Sequence, residues 1–262
     1  MNKHKLGFAL GSGGSRGIAH IGFLQAMDEA GIVPDYITGC SMGSVVGAAY
    51  ASGKTPEEMR KIVMKLRPSD LIEITPKRGG LFNSSRIAKL FAKHIGDFTF
   101  DQLKIPFQCV AVDMVSQKVV LLNSGSVTDA VVASSSIPAV FRPTQKDEMI
   151  LVDGGVLERV PVKELKDMGA EKIVAVDVLG RQNLLKDNLG LMSVLTHIVG
   201  ITDNYIVEQY KKKNKKIIDL WIEPDLGDMN QYAFKSFNFA YEQGYAAGKQ
   251  YADEIKALIS ED

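Results

Sequence analysis

The chain has 262 residues, enough to bury a large core in one α/β domain, and its 45% hydrophobic and 24% charged residues are ordinary for a globular protein. Lysine plus arginine equals aspartate plus glutamate at 31 each, so no overall field draws it to nucleic acid, and an RNA or DNA partner is disfavoured. Two cysteines, Cys40 and Cys109, form neither a disulfide framework nor a zinc cluster. With no secretory apolar region and no run of about 18 apolar residues, the expected location is the cytoplasm.

Strand-like and helix-like segments alternate along the chain. Residues 5–10 are a short apolar run that meets glycines at once. Residues 17–30 set Ile18, Ile21, Leu24 and Met27 on one helical face. Tyr36–Cys40 is again strand-like, and Met42–Ala51 reads as a helix of small residues. Thr55-Pro56-Glu57-Glu58 is a helix start, with Thr55 as N-cap and Pro56 at the first helical position. Residues 67–105 are irregular apart from a short helix, Ser85–His94. Residues 106–115 and Lys118–Leu122 form a predicted strand pair, and 127–136 a helix that ends before Pro138. A short strand at 149–152, a buried strand at 172–178, a long helix at 189–213, a strand at 216–222 and a last helix at 234–259 follow. This alternation predicts a three-layer α/β/α sandwich with a mostly parallel central sheet. Residues 6–165 carry the motifs, and 166–262 read as an α/β continuation of the same domain.

Gly11-Ser12-Gly13-Gly14-Ser15-Arg16-Gly17 lies between the first strand and the first helix. Glycines turn the backbone tightly and expose N–H groups, and a helix N-terminus adds partial positive charge, so the segment suits an anion. That anion is either a nucleotide phosphate or the oxyanion of an acyl-transfer transition state; a structural turn is the third reading. The dinucleotide pattern G-x-G-x-x-G fails by one position, at Arg16, although Asp35 could serve as its acidic residue.

Gly39-Cys40-Ser41-Met42-Gly43 is G-x-S-x-G between a predicted strand and a predicted helix, the setting of a nucleophile elbow. The plainer reading is a serine that caps a helix. A nucleophilic serine needs a base. His4 lies near the terminus, His20 on the packed face of the first helix, His94 in the irregular stretch and His197 within the long helix, so none suits a triad. Asp153-Gly154-Gly155 follows an apolar strand, at the end where α/β crevices open; an ordinary Asp-Gly turn is its alternative. Asp113 and Asp177 are rival carboxylates without a glycine pair after them.

These motifs, together with Ala133-Ser134-Ser135-Ser136-Ile137-Pro138-Ala139-Val140-Phe141-Arg142-Pro143, resemble the patatin-like phospholipase family, in its bacterial branch related to neuropathy target esterase. The likeness covers about residues 6–165. It implies a patatin-like fold and a serine acyl-ester hydrolase of lysophospholipase, phospholipase A or carboxylesterase type, with no cofactor and no metal. By this resemblance Ser41 attacks the ester carbonyl and Asp153 takes its proton. The N–H groups of Gly13, Gly14 and Met42 receive the oxyanion, and Arg16 fixes either the loop or a substrate head group. Gly39 and Gly43 flank the elbow, and Gly154 and Gly155 complete the Asp-Gly element. Ser12 departs from the glycine usual there.

The partner implied is a lipid or other acyl ester. Leu81, Phe82, Ile87, Leu90, Phe91 and Ile95 supply either a lid over an acyl pocket or ordinary packing. Lys211, Lys212, Lys213, Lys215 and Lys216 are either a solvated helix end or a peripheral contact with an inner membrane face, and Trp221 is expected in the core. The alternative functions are a nucleotide- or dinucleotide-binding protein and a non-catalytic lipid-binding adaptor. No oligomeric state follows from the sequence.

Overall fold

A computed structural model describes residues 4–67, 70, 85–138, 140–180, 190–231 and 236–260. Leu81 and Phe82 of the lid expectation lie outside them. Strands β1 (Leu6–Leu10), β2 (Tyr36–Cys40), β3 (Phe107–Asp113) and β7 (Lys172–Val176) are short, mostly apolar runs. They are almost wholly buried, as strands covered on both faces must be. With β8 (Leu220–Ile222) they pair in parallel in the order β3-β2-β1-β7-β8.

Three antiparallel strands complete a mixed, mostly parallel sheet: β4 (Lys118–Leu122), β5 (Thr144–Lys146) and β6 (Met149–Asp153). Their arrangement decides where the motifs meet. Strand β4 covers one edge of β3 over Cys109–Asp113. On the other edge β2 pairs up to Val110, opposite Cys40, and β6 takes over at Ala111, opposite Asp153. Strands β2 and β6 therefore lie end to end along β3, and Asp153 arrives beside the corner that follows Cys40.

Helices α1 (Ala19–Glu29), α2 (Met42–Ala51), α5 (Val127–Ser134) and α8 (Phe237–Ile259) supply residues to the larger apolar cluster, where Leu6, Phe8 and Leu10 of β1 point. The alternate residue, Ala9, belongs to a second cluster with Val162 and Leu165 of α6 (Val162–Met168). Tyr210 of α7 (Leu191–Lys213) packs against that second cluster. The alternation of β1 thus gives the sheet a helical layer on each face. Helices α3 (Pro56–Val63) and α4 (Ser85–His94) lie on the larger cluster's side, where Met59 and Phe91 are buried. Thr55 caps α3 through the Glu58 N–H, and Glu58 returns the bond to the Thr55 N–H.

Two elements have no counterpart in the sequence reading. Helix α6 has seven residues, no side-chain cap, and ends at Gly169 in the left-handed region. Strand β5 is three residues that pair with β6. The strand read at 216–222 is regular only over Leu220–Ile222. Trp221 is half-buried; its Nε1–H donates to Glu223, and Lys211 Nζ lies 4.7 Å from its ring centre.

Candidate active site

The corner after β2 holds Ser41 at φ 51°, ψ −122°, a conformation that costs a residue with a Cβ about 1–3 kcal/mol. The surroundings enforce it. The Ser41 N–H donates to Ser134 Oγ at 3.0 Å, and that hydroxyl donates to the Val110 carbonyl at 2.7 Å. The Ser41 carbonyl accepts from the N–H of Ser44 and Val45 and from the Ser44 hydroxyl at 2.6 Å. A Cβ at Gly43 would run into the Leu10 carbonyl, and one at Gly39 would sit 2.6 Å from Ser44 Cα. The two glycines of G-x-S-x-G are thus places where backbones nearly touch, and the bend depends on both.

Asp153 is 5% exposed and Ser41 3%. Burial pushes the Asp153 carboxyl up to about 6, against a hydrogen bond from the Ser41 side chain, one from the Gly155 N–H at 2.8 Å to Oδ1, and one from the Cys40 thiol, whose Sγ lies 3.8 Å from Oδ1. The structure therefore brings Ser41 and Asp153 together, with the carboxyl set between the ordinary aspartate range and neutrality. A Cβ at Gly154 would lie 2.5 Å from the Val110 carbonyl, and one at Gly155 3.0 Å from the Ser12 hydroxyl, so this element abuts both β3 and the opening glycine loop.

In that loop Gly11, Ser12, Ser15 and Arg16 donate their N–H groups to Val176, Arg159, Gln231 and Gly13. Gly13 and Gly14 are not donors among the described backbone bonds. Gly14 has φ +52°, while Ser12 is not among the residues with positive φ, so the serine there costs no strain. Arg16 is buried, and its guanidinium donates to the carbonyls of Val178 at 2.7 Å, Gly227 at 3.0 Å and Met229 at 2.9 Å. These bonds join the glycine loop to the end of the 172–178 segment and to residues 227–229. His20 is fully buried, and burial lowers its pKa to about 4; as the neutral imidazole it donates from Nε2 to the Gly11 carbonyl at 2.8 Å. It braces the glycine loop.

The rival carboxylates are occupied elsewhere. Asp113 accepts from the N–H groups of Val115, Ser116 and Ile150. Asp177 pairs with Arg159 Nη2 at 2.7 Å. Ser134 and Cys40 contact Ser41 and Asp153 directly and had no assigned part in the sequence reading; each lies inside a noted motif, but only the fold reveals its partner.

Gly14, Ser41 and Met42 open onto a cavity of ≈ 460 Å³. Its wall is built from α1, α2, α3 and α4, with Ile21, Val45, Met59, Leu90 and Phe91 among its residues, and also includes His94. Among its described lining residues there is no Lys, Arg, Asp or Glu. Ile87, Leu90, Phe91 and Ile95, expected as either lid or packing, lie on this wall. A Cβ at Gly13 would lie 2.4 Å from Val178.

A family model described as patatin-like phospholipase matches residues 8–166. An uncharacterized NTE family protein of Mycobacterium tuberculosis is 33% identical over 180 residues, which are 68% of this chain and 50% of that protein. The neuropathy target esterase sws of Drosophila melanogaster is 26% identical over 96% of this chain and 20% of its own length. The lysophospholipase nte1 of Aspergillus fumigatus is 27% identical over 96% and 18%. The chain therefore spans half or less of these relatives. In fold it is similar to VipD from Legionella pneumophila, with TM-score 0.65 and 12% identity over 96% of this chain and 67% of that one. It is also similar to ExoU of the type III secretion system of Pseudomonas aeruginosa, with TM-score 0.51 and 13% identity over 98% and 53%. With more than half of its residues matched by the family model, this chain belongs to the patatin-like phospholipase family.

Proposed function

We propose that the protein hydrolyses acyl esters of lipids, of the lysophospholipase or phospholipase A type, with Ser41 as nucleophile and Asp153 as base. The observation that carries the reading is a serine on a strained corner set beside a buried carboxyl whose ionised form it favours, with the serine lining an apolar cavity. Asp153 takes the proton of the Ser41 hydroxyl as its oxygen adds to the ester carbonyl. Charge developing on the carbonyl oxygen meets the N–H groups of Gly13, Gly14 and Met42, the last at the start of α2. Collapse breaks the ester C–O bond, and the leaving alcohol takes the proton back from Asp153. Water, deprotonated by the same carboxylate, then releases the acid and restores the serine.

The cavity favours an acyl chain. Its lining offers apolar contact and no cation for a phosphate among the described residues, which speaks against the nucleotide alternative. Each methylene buried there is worth about 0.8 kcal/mol, so longer chains gain binding until the cavity is full. Relatives named as a lysophospholipase and an esterase agree with this chemistry.

The test is hydrolysis of a chromogenic ester by wild type, Ser41→Ala and Asp153→Asn, with a fluorophosphonate probe to label the serine. Each substitution should reduce kcat on the order of 10³-fold or more, since nucleophile and base act as a unit. A Ser41→Ala protein as active as wild type ends the proposal. Failure of the probe to label folded wild type would favour the adaptor alternative.

A further inference from the structure

The outer side of α7 carries an apolar stripe that is exposed among the described residues. Val194, Ile198, Ile201 and Tyr205, spaced by four, three and four residues, share one helical face and are 36%, 53%, 57% and 65% exposed. Continuing at the same spacing, that face reaches Gln209 and Lys212, with exposed Lys213 next to it. The opposite side holds the helix to the body through Val207, Asp203 and Tyr210.

The level at which α7 is held places the stripe. Asp177 directly follows β7, and Arg159 bonds both Asp177, at 2.7 Å, and Asp203 of α7, at 2.6 Å. Asp203 therefore stands level with the carboxyl edge of the sheet, the edge that carries Ser41. A helix joining two parallel strands runs back against them, so residues 191–202, about 18 Å of helix at 1.5 Å per residue, lie on the side of Asp203 toward that edge. Val156 and Leu157, 42% and 37% exposed, follow Gly155 on the same edge.

We propose that this face of α7 docks on an anionic lipid surface, with Val194, Ile198 and Ile201 entering the acyl region, Tyr205 at the boundary and Lys212 and Lys213 among the head groups. The face runs from apolar side chains through Tyr205 to Lys212, with Lys213 next to it and Glu208 the one acid between, so its net order of apolar, aromatic and cationic groups follows depth in a lipid interface. A second copy fits less well. Antiparallel pairing would lay lysines on the partner's apolar half, and parallel pairing would set lysines against lysines. Among the described residues no helix is long and apolar enough to cross a membrane, which is consistent with a helix that lies on the interface. The docking would bring lipid esters to the carboxyl edge of the sheet that carries Ser41, and only in that purpose does it rest on the hydrolase reading.

Binding can be read without turnover. Ser41→Ala protein is sedimented with vesicles of phosphatidylcholine alone and of phosphatidylcholine mixed with phosphatidylglycerol, and its oligomeric state is measured by ultracentrifugation. Binding to the mixed vesicles should exceed that to the neutral ones on the order of tenfold. Adding Ile198→Glu and Ile201→Glu should abolish it at an unchanged melting temperature. Adding Lys212→Glu and Lys213→Glu instead should remove the preference for the anionic lipid. Wild-type binding by the Ile198→Glu/Ile201→Glu protein would overturn the proposal. So would a parent that binds no vesicle, or one that forms a dimer which these glutamates dissociate. Vesicle binding alongside an inactive wild type would instead sink the hydrolase and leave the docking intact.

Discussion

Ser41 sits in a backbone region that a residue with a Cβ seldom occupies, and it is held there by bonds to both its N–H and its carbonyl. Its neighbour Asp153 is a carboxyl that burial makes a stronger base, while three donors keep it from becoming neutral at physiological pH. The proposed base works only when unprotonated, so its pKa sets an acid limb. For a neutral soluble ester, kcat/KM should rise with pH, turn over near 6, and stand at pH 5 about tenfold below its plateau. The measurement is a rate profile from acid to neutral pH. A limb at the ordinary aspartate value, near 4, would mean that burial does not govern this group in the free protein. The Cys40 thiol and the Ser134 hydroxyl act at the same scale, one on the carboxyl and one on the serine N–H. Neither was legible, because a cysteine or a serine within a motif has many possible partners and only the path of β3 selects one.

At the scale of elements, the helices and strands with a clear period or a cap were legible. Thr55 and Pro56 announced α3, and the glycines around Ser41 announced the turn from β2 to α2. Short elements without such marks, α6 and β5, were not, because tertiary pairing and not local preference sustains them. Close helix crossings were hidden too. Helices α1 and α8 meet through Gly22, Gly244 and Gly248, far apart in sequence, and a Cβ on Gly244 would run into the Ala19 carbonyl. Glycine inside a helix ordinarily costs about 1 kcal/mol against alanine, so three at one crossing mark a place where close approach outweighs that loss. Gly244→Val must push the backbones apart. It should lower stability by about 3 kcal/mol or more, read as a shift of the urea midpoint. A midpoint equal to wild type would show that the crossing tolerates separation.

Across the whole molecule, the α/β alternation made the layered sheet legible, whereas the end-to-end meeting of β2 and β6 on one edge of β3 was not, since residue patterns do not specify strand order. That meeting leaves the proposed site dependent on segments remote in sequence, and Arg159 is where they are fastened. Its carbonyl accepts the Ser12 N–H of the glycine loop, and its buried guanidinium joins Asp177 at the end of β7 to Asp203 of α7. Removing the cation would leave two carboxylates enclosed without it. Burial already raises Asp203, and without Arg159 it should hold its proton to still higher pH. Arg159→Met should therefore lose about 3–5 kcal/mol at neutral pH, the cost of breaking a buried ion pair from one side. The loss should shrink as acid neutralises the stranded Asp203: a carboxylate whose folded pKa is raised weakens the fold as pH climbs through that value and ceases to do so below its unfolded pKa. Urea midpoints of wild type and variant, compared at neutral pH and near pH 5, read both effects. Equal midpoints at neutral pH would show that this network does not bind the glycine loop, the sheet edge and α7 into one frame.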